Sequence, residues 1–258
     1  MTLIDTHTHL YLNEFKGDID DVIRRANLEG VSSFYLPAID SSEMDNLLHL
    51  EARYPDSCKA MTGLHPCSVK ENYKDELSQI AFHLGKRKFV AIGEIGLDFY
   101  WDKTFVQEQY TAFHNQIEIA LAHNIPIVIH SRDALDEAIA VVQEYHSRGL
   151  RGIFHCFGGT LEQAESIIKT GFYLGIGGII TYKNSGVAAV IANLDMNHLV
   201  LETDAPYLTP VPFRGKRNES SYLKYIAAKI AEVKDLSLEE VASVTTLNAN
   251  KVFGFSQR

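Results

Sequence analysis

Short runs of Val, Ile, Leu and Phe alternate along the chain with longer stretches in which apolar residues recur every three or four positions. The short runs are typical of buried strands, and the longer stretches are typical of amphipathic helices. Strands that alternate with helices in this way predict βα units and a parallel sheet. The predicted strands cover residues 3–9, 32–39, 58–64, 89–97, 125–131, 151–157, 172–178 and 198–204.

Two of the predicted helices have a capping box at their start. In this motif a Ser or Thr is followed three residues later by Glu or Gln, and each side chain bonds the other residue's backbone N–H. Thr104 and Gln107 stand in this relation before one helical stretch, and Ser237 and Glu240 stand in it before the last one. We expect the last helix to extend to about Phe253.

The size and rhythm of the pattern predict one α/β domain. No linker or low-complexity tract separates the units, so the whole chain, residues 1–258, is expected to form a single domain. Eight strands with intervening helices in about 250 residues are typical of a (β/α)8 TIM barrel. The alternative is an open, doubly wound sheet, which would bind a ligand where the strand order reverses.

Composition restricts the class of protein. Apolar residues make up 46% of the chain and charged residues 22%, which is usual for globular proteins. We find no secretory signal at the start, and the longest uncharged apolar run, residues 172–182, is too short for a membrane helix. The three cysteines form no C-x-x-C pair, so we expect reduced thiols. A cytoplasmic protein without membrane contact is therefore expected.

Residues of metal-binding types lie near the ends of five predicted strands. His7 and His9 are two positions apart on the first strand, so both imidazoles can lie on the same face. The others are Glu94, His130, His155 and Asp204. Active sites of α/β barrels lie at the C-terminal ends of the strands, and mixed imidazole and carboxylate ligands suit zinc, manganese or similar divalent ions. One histidine pair would not indicate a metal site, but the whole set does.

Several motifs occur in an order typical of a known family. They are DTHTHL, GLHP, GEIGLDFY, IHSRDA, FHCFGG and ETDAPYL, followed by FRGKRNE. From Met1 almost to Phe253 the chain therefore resembles the TatD family of metal-dependent deoxyribonucleases, which belongs to the metallo-dependent hydrolase barrels. The H-x-H motif by itself would indicate only a metallohydrolase.

The resemblance implies a two-metal site that hydrolyses DNA, with 3′–5′ exonuclease action. One ion would be held by His7, His9, Glu94 and Asp204, and the second by Glu94, His130 and His155. Mg, Mn and Zn all remain open as the two divalent ions. A pair of such ions activates water and stabilises charge at a phosphodiester. Asp204 would also orient the attacking water or accept its proton.

Four further residues near the predicted site each have two interpretations. His65, in the GLHP motif, would contact the phosphate or move a proton as a catalytic residue, or would be a structural turn histidine. Arg132 would bind a phosphate, or would form a salt bridge to a neighbouring helix. Asp5 and Glu202 would lie buried below the metals, where they would hydrogen-bond ligand histidines or form structural ion pairs.

The predicted active end also carries aromatic and basic residues. Tyr100 and Trp101 would stack on nucleobases, or would pack under the following helix. The net charge of −9 means that a polyanionic substrate needs local positive charge, which the basic segment with Arg214, Lys216 and Arg217 would supply unless these charges are merely solvated. Cys156 has the opposite strand parity to the preceding residue, so we expect it to face the helices.

Three functions compete at this point. The first is a nuclease with DNA as its substrate. The second is a small-molecule metallohydrolase that opens an amide, lactone or phosphoester, because the same barrel supports all of these reactions. The third is a non-catalytic, metal-dependent binding protein. No obligate protein partner is indicated, and a monomer is compatible with the sequence.

Overall fold

A computed structural model describes residues 1–254 of the protein. Its strands are β1 (Leu3–Asp5), β2 (Val31–Leu36), β3 (Cys58–Ala60), β4 (Ile92–Asp98), β5 (Ile127–Arg132), β6 (Gly152–Phe154), β7 (Tyr173–Ile176) and β8 (Leu199–Leu201). Its α-helices are α1 (Ile19–Leu28), α2 (Met44–Arg53), α3 (Tyr73–Lys86), α4 (Val106–His123), α5 (Leu135–Glu144), α6 (Leu161–Lys169), α7 (Val187–Ala192), α8 (Leu223–Lys234) and α9 (Leu238–Phe253).

The strands close into a barrel of parallel neighbours. Strands β1 to β3 pair in chain order, and β4 to β8 pair in chain order. Thr62 forms a parallel bridge with Ile92 between these two sets. On the other side, the Thr6 N–H donates to the Leu201 carbonyl at 3.0 Å. The (β/α)8 barrel is therefore confirmed, and the open doubly wound sheet is wrong.

Most strands are shorter than the hydrophobic pattern predicts. Strand β1 ends at Asp5 rather than at residue 9, and β8 ends at Leu201 rather than at residue 204. Beyond these points the regular ladder ends, but single backbone hydrogen bonds continue, such as the Thr8 N–H to the Tyr35 carbonyl and the Glu202 N–H to the Ile176 carbonyl. The residues there are polar and nevertheless buried. Among the predicted ligands, only Glu94 and His130 lie within strands. The others lie on the loops that follow β1, β6 and β8.

An apolar cluster fills the interior of the barrel below the predicted ligands. It takes one side chain from or beside each strand: Ile4, Tyr35, Met61, Ala91, Val128, Ile153, Tyr173 and Val200. Helix α9 adds Ala249, Val252 and Phe253 to this cluster, and the Phe253 ring stacks on the Tyr35 ring with centroids 4.0 Å apart. Helix α9 therefore closes the barrel at the end away from the predicted site.

The two predicted capping boxes have different outcomes. Ser237 and Glu240 form the predicted box at the start of α9. Thr104 and Gln107 do not, because α4 begins at Val106 and the Thr104 N–H donates instead to the Asp102 carboxylate at 2.9 Å. The Thr104 N–H, which the capping box would pair with the Gln107 side chain, is thus used within the loop before α4 instead.

The domain bounds, the helix lengths and the cysteines were also predicted from the sequence. The predicted domain ends at residue 258, and residues 255–258 lie outside the described part. Within residues 1–254, no helix combines the length and the apolar character needed to cross a membrane. The cysteines are free thiols, as expected.

Candidate metal centre

The predicted ligands converge at the C-terminal end of the barrel around the carboxylate of Glu94. One oxygen, Oε2, lies 3.1 Å from His7 Nε2 and 3.6 Å from His9 Nε2. The other, Oε1, lies 3.0 Å from His130 Nδ1 and 2.8 Å from His155 Nε2. Oε1 also lies 3.3 Å from His65 Nε2, so the two oxygens face separate groups of imidazoles with no member in common. A carboxylate placed in this way is suited to lie between two cations.

Asp204 completes the group on the side of His7 and His9. Its Oδ1 lies 3.6 Å from His7 Nε2 and 3.5 Å from His9 Nε2. Three overlapping sets of potential ligand atoms lie within 4.8 Å of one another: His7, His9 and Glu94; His7, His155 and Asp204; and His65, Glu94 and His130. The structure therefore brings all the predicted ligands together, and it adds His65.

The hydrogen bonds of His9 fix which ring nitrogen faces the cluster. Tyr11 donates its hydroxyl to the Pro37 carbonyl at 2.7 Å, so it accepts from His9 Nδ1 at 3.0 Å. The proton of neutral His9 therefore sits on Nδ1. Its Nε2 lone pair points towards the carboxylates, which is the arrangement of a metal ligand.

His65 has the opposite tautomer. Its Nδ1 accepts the Cys67 N–H at 3.0 Å, so the proton of the neutral ring sits on Nε2, 3.3 Å from Glu94 Oε1. Burial lowers the pKa of His65, which favours the neutral ring. His65 thus presents a hydrogen-bond donor to the pocket rather than a lone pair, which suits contact with a phosphate oxygen.

The contact between His130 Nδ1 and Glu94 requires a proton or a cation between the two atoms. His130 Nε2 donates to Asp98 Oδ2 at 2.8 Å, which leaves the Nδ1 lone pair of the neutral ring facing Glu94 Oε1. Two lone pairs at 3.0 Å repel unless a proton or a metal ion lies between them. Burial lowers the pKa of His130, but the hydrogen bonds to Asp98 and Glu94 outweigh burial and raise that pKa.

The carboxylates of the cluster are ionised. Burial would raise the pKa of Glu94, but His155 and His7 hold that pKa well below its usual range. Burial would also raise the pKa of Asp204, but the His9, His155 and His7 imidazoles beside it outweigh burial and lower that pKa. Among the described residues, buried Nδ1 atoms of His7 and His155 have no hydrogen-bond partner. Two carboxylates surrounded by imidazoles fit divalent cations.

The two buried carboxylates below the cluster differ in role. Glu202 Oε1 accepts the Cys156 N–H at 2.5 Å and lies 3.5 Å from His155 Nδ1, close to a candidate ligand but without the predicted hydrogen bond. Asp5 instead accepts hydrogen bonds from the Thr203 N–H and hydroxyl and from the Ser220 hydroxyl. Both predictions for Asp5 are wrong, because hydroxyl and amide donors satisfy its carboxylate.

A cavity of about 830 Å³ opens above the cluster. Cys156 lines it, so the prediction that this thiol faces the helices is wrong. Strand β6 ends at Phe154, and Cys156 has a left-handed φ of 47°, so strand alternation no longer determines where its side chain lies. Burial raises the pKa of the Cys156 thiol well above its usual range.

Arg132 also lines the cavity, beside two exposed aromatic rings. Its guanidinium carbon lies 3.8 Å from the ring centroid of Tyr100 and 5.1 Å from that of Trp101. The predicted salt bridge to a helix is not found among the described ion pairs. Tyr100 is 51% exposed and Trp101 is 67% exposed, so the prediction that they pack under the following helix is wrong.

The basic segment after β8 lies outside the cavity lining. Arg214 and Lys216 are exposed, and the Arg214 guanidinium lies over the Tyr182 ring at 4.4 Å. Arg217 has a structural role, because both of its terminal nitrogens pair with Asp18, at 2.8 and 2.7 Å. Any contact of Arg214 and Lys216 with a substrate would therefore be beyond the cavity.

Comparison with known proteins decides the family. A family model described as TatD related DNase matches residues 4–254. The chain belongs to the TatD family. It is 40% identical over 252 residues to the uncharacterized metal-dependent hydrolase YabD of Bacillus subtilis, an alignment that covers 97% of this chain and 98% of the relative.

Two further relatives are similar to this TatD-family protein along their whole lengths. The crystal structure of YjjV, a TatD homolog from Escherichia coli, superimposes with a TM-score of 0.92 at 31% identity, covering 98% of both chains. The 3′-5′ ssDNA/RNA exonuclease TatD of Edwardsiella piscicida is 31% identical over 257 residues, covering 97% of this chain and 99% of the relative. The chain is thus a metal-dependent hydrolase of the TatD family.

Sequence reasoning missed two residues that position ligands in this TatD-family protein. Tyr11 orients His9, and Asp98 orients His130. Both follow a predicted ligand at an even spacing, two residues after His9 and four after Glu94. For Asp98 the spacing is a usable signal, because Glu94 and Asp98 both lie on β4, where alternate positions face the same side. Tyr11 lies in a turn closed by the Leu12 N–H and the His9 carbonyl, so strand alternation does not indicate it.

Proposed function

We propose that this protein hydrolyses phosphodiester bonds of DNA as a metal-dependent 3′–5′ exonuclease. The observation that carries the proposal is the Glu94 carboxylate, whose two oxygens face separate groups of imidazoles at the base of a cavity of about 830 Å³. A cavity of this size accommodates a nucleotide, since small-molecule sites occupy about 300–1,000 Å³. The name of the Edwardsiella piscicida relative supports the choice of nucleic acid as substrate.

The proposed ligands of two divalent ions are those that the resemblance implies. His7, His9, Glu94 and Asp204 would hold one ion, and Glu94, His130 and His155 would hold the other. When bound, such ions lower the pKa of water and neutralise charge on a phosphodiester. The hydrogen bonds of Tyr11 to His9 and of Asp98 to His130 keep the ligand nitrogens of these two imidazoles directed into the cluster.

The protein side chains then supply orientation and proton transfer. Water attacks phosphorus, the bond between phosphorus and the sugar oxygen of the preceding nucleotide breaks, and Asp204 accepts the water proton. The sugar oxygen leaves with a proton from solvent. His65 donates its Nε2–H to a phosphate oxygen, and Arg132 forms a second, charged contact with the phosphate.

Positive charge outside the cavity binds the rest of the strand. Arg214 and Lys216 follow β8 and are exposed, so we assign to them phosphates that lie beyond the cleaved nucleotide. The acidic net charge of −9 makes such local contacts necessary.

The test is cleavage of end-labelled single- and double-stranded DNA in the presence of Mg, Mn or Zn. We expect stepwise shortening from the 3′ end. Asp204→Asn should reduce the rate by about 100-fold or more, because the proton acceptor is lost. Asp56→Asn is the matched control, because this exposed carboxylate lies between α2 and β3 at the opposite end of the barrel. Thermal unfolding should show that both variants fold.

Two results would contradict this function. Hydrolysis of small esters or lactones without cleavage of DNA would favour the small-molecule metallohydrolase. DNA binding without cleavage with any of the three metals would favour a binding protein. A variant with His7→Ala and His9→Ala serves as the metal-site control in each assay.

A further inference from the structure

Two large aromatic side chains stand exposed where the cavity opens. Trp101 is 67% exposed and Tyr100 is 51% exposed, whereas most large apolar side chains of the protein are buried. Their rings form a T-shaped pair with centroids 4.9 Å apart. Trp101 lines the same cavity as the proposed metal ligands. Exposed aromatic surface beside a functional cavity is typical of a ligand contact.

The loop that carries these rings is held firmly. Asp98 Oδ1 accepts the backbone N–H groups of Tyr100 and Trp101, each at 3.0 Å. The other oxygen of Asp98 accepts from His130 Nε2 at 2.8 Å. Further along the loop, Lys70 pairs with Asp102 at 2.5 Å. One carboxylate therefore fixes the aromatic pair relative to a proposed metal ligand.

The charge beside the rings indicates what they contact. The Arg132 guanidinium lies over Tyr100 at 3.8 Å and near Trp101 at 5.1 Å. A cation already placed against the rings disfavours a cationic ligand and favours a flat group joined to an anion. A nucleobase attached to a phosphate has both properties, and aromatic side chains bind bases of any sequence by stacking.

We propose that Trp101 and Tyr100 form a base-stacking subsite for a nucleotide next to the cleaved phosphodiester, with Arg132 on its phosphate. This inference rests on the proposed function and specifies how that site holds its substrate. The subsite recognises the flat face of a base, so it selects nucleotides over simple phosphodiesters. A base inside a duplex has both faces covered by its neighbours, so it must leave the stack to enter the subsite.

Kinetics on two matched oligonucleotides test the subsite. One carries normal bases, and the other has abasic residues at its last two 3′ positions. The wild type should have a KM about tenfold lower for the first, whereas in Trp101→Ala the two KM values should become equal. Trp101→Phe should restore most of the difference. Phe82→Ala, which removes a 52% exposed ring near the end of α3, should keep the wild-type difference in KM between the two oligonucleotides.

Fluorescence gives a direct readout, because Trp101 is the only tryptophan in the chain. In metal-loaded Asp204→Asn, which consumes little DNA, the base-bearing oligonucleotide should quench this fluorescence and the abasic one should not. Anisotropy of a labelled strand reports binding independently. Saturating binding without quenching, or an unchanged KM ratio in Trp101→Ala, would overturn the subsite. Wild-type protein that cleaves no DNA would instead contradict the proposed function.

Discussion

At the scale of single residues, hydrogen bonds divide the histidines of the cluster into two kinds. Tyr11 places the proton of His9 on Nδ1, and the Cys67 N–H places that of His65 on Nε2. Both rings lie within reach of Glu94, at 3.6 and 3.3 Å. One therefore presents a lone pair to a cation, and the other presents a donor to a substrate oxygen.

Tyr11→Phe tests this division. The variant removes the hydroxyl that accepts from His9 Nδ1, so the ring loses both its fixed orientation and its tautomer. We expect metal affinity to fall by about 10- to 100-fold, the usual effect of losing such a partner. Titration calorimetry with Mn or Zn measures it. Tyr35→Phe, inside the barrel at the other end, should leave affinity unchanged, and equal losses in both variants would contradict the argument.

At the scale of elements, the sequence pattern predicted the order of strands and helices but not the backbone beyond each strand. The convergence of the candidate metal ligands was predictable, because these residues combine a metal-binding residue type with a position at the end of an apolar run. The position of Cys156 was not, because β6 ends at Phe154 and alternation then fails. The partners of Asp5 come from Thr203 and Ser220, which are distant in sequence, so local patterns do not indicate them.

An ion-pair network ties α1 to the segment after β8. Arg217 pairs with Asp18, and Arg25 pairs with Glu219 through two hydrogen bonds of 2.9 and 2.6 Å. The Arg217 guanidinium lowers the pKa of Asp18. Burial would raise the pKa of Glu219, but Arg25 outweighs burial and the pKa is lowered.

These lowered pKa values predict a pH-dependent stability. A carboxyl whose pKa is lower in the folded state stabilises the fold above its unfolded pKa, and that contribution is lost as pH falls through the folded pKa. Arg217→Met should therefore lower the free energy of unfolding by up to about 1 kcal/mol at pH 7, since the pair is partly exposed.

The difference between wild type and Arg217→Met should stay constant above about pH 5, shrink as the pH falls below about 4, where the unfolded carboxyls titrate, and vanish only below the lowered pKa values of the folded state. Urea denaturation across this range measures it. Arg214→Met is the matched control, because the Arg214 guanidinium lies over the Tyr182 ring instead of an acid. A difference that stays constant with pH would contradict the assignment.

At the scale of the whole molecule, the two ends of the barrel have separate tasks. The C-terminal end carries the ionised carboxylates, the imidazoles and Arg132 around an open cavity. The other end is closed by α9, whose apolar side chains complete the interior cluster. The barrel thus keeps the charged and polar groups of the candidate site at one opening, while apolar packing at the other end supplies stability.

Phe253→Ala tests this separation of tasks. Phe253 is 7% exposed and stacks on Tyr35, so its loss leaves a cavity beneath the barrel interior. The free energy of unfolding should fall by about 3–5 kcal/mol. Leu247→Ala, a 42% exposed position on the same helix, should cost no more than about 0.5 kcal/mol. Below the unfolding transition, metal affinity should stay the same in both variants, because the ligands lie above the interior cluster. A fall in metal affinity with Phe253→Ala alone would show that the two ends are coupled.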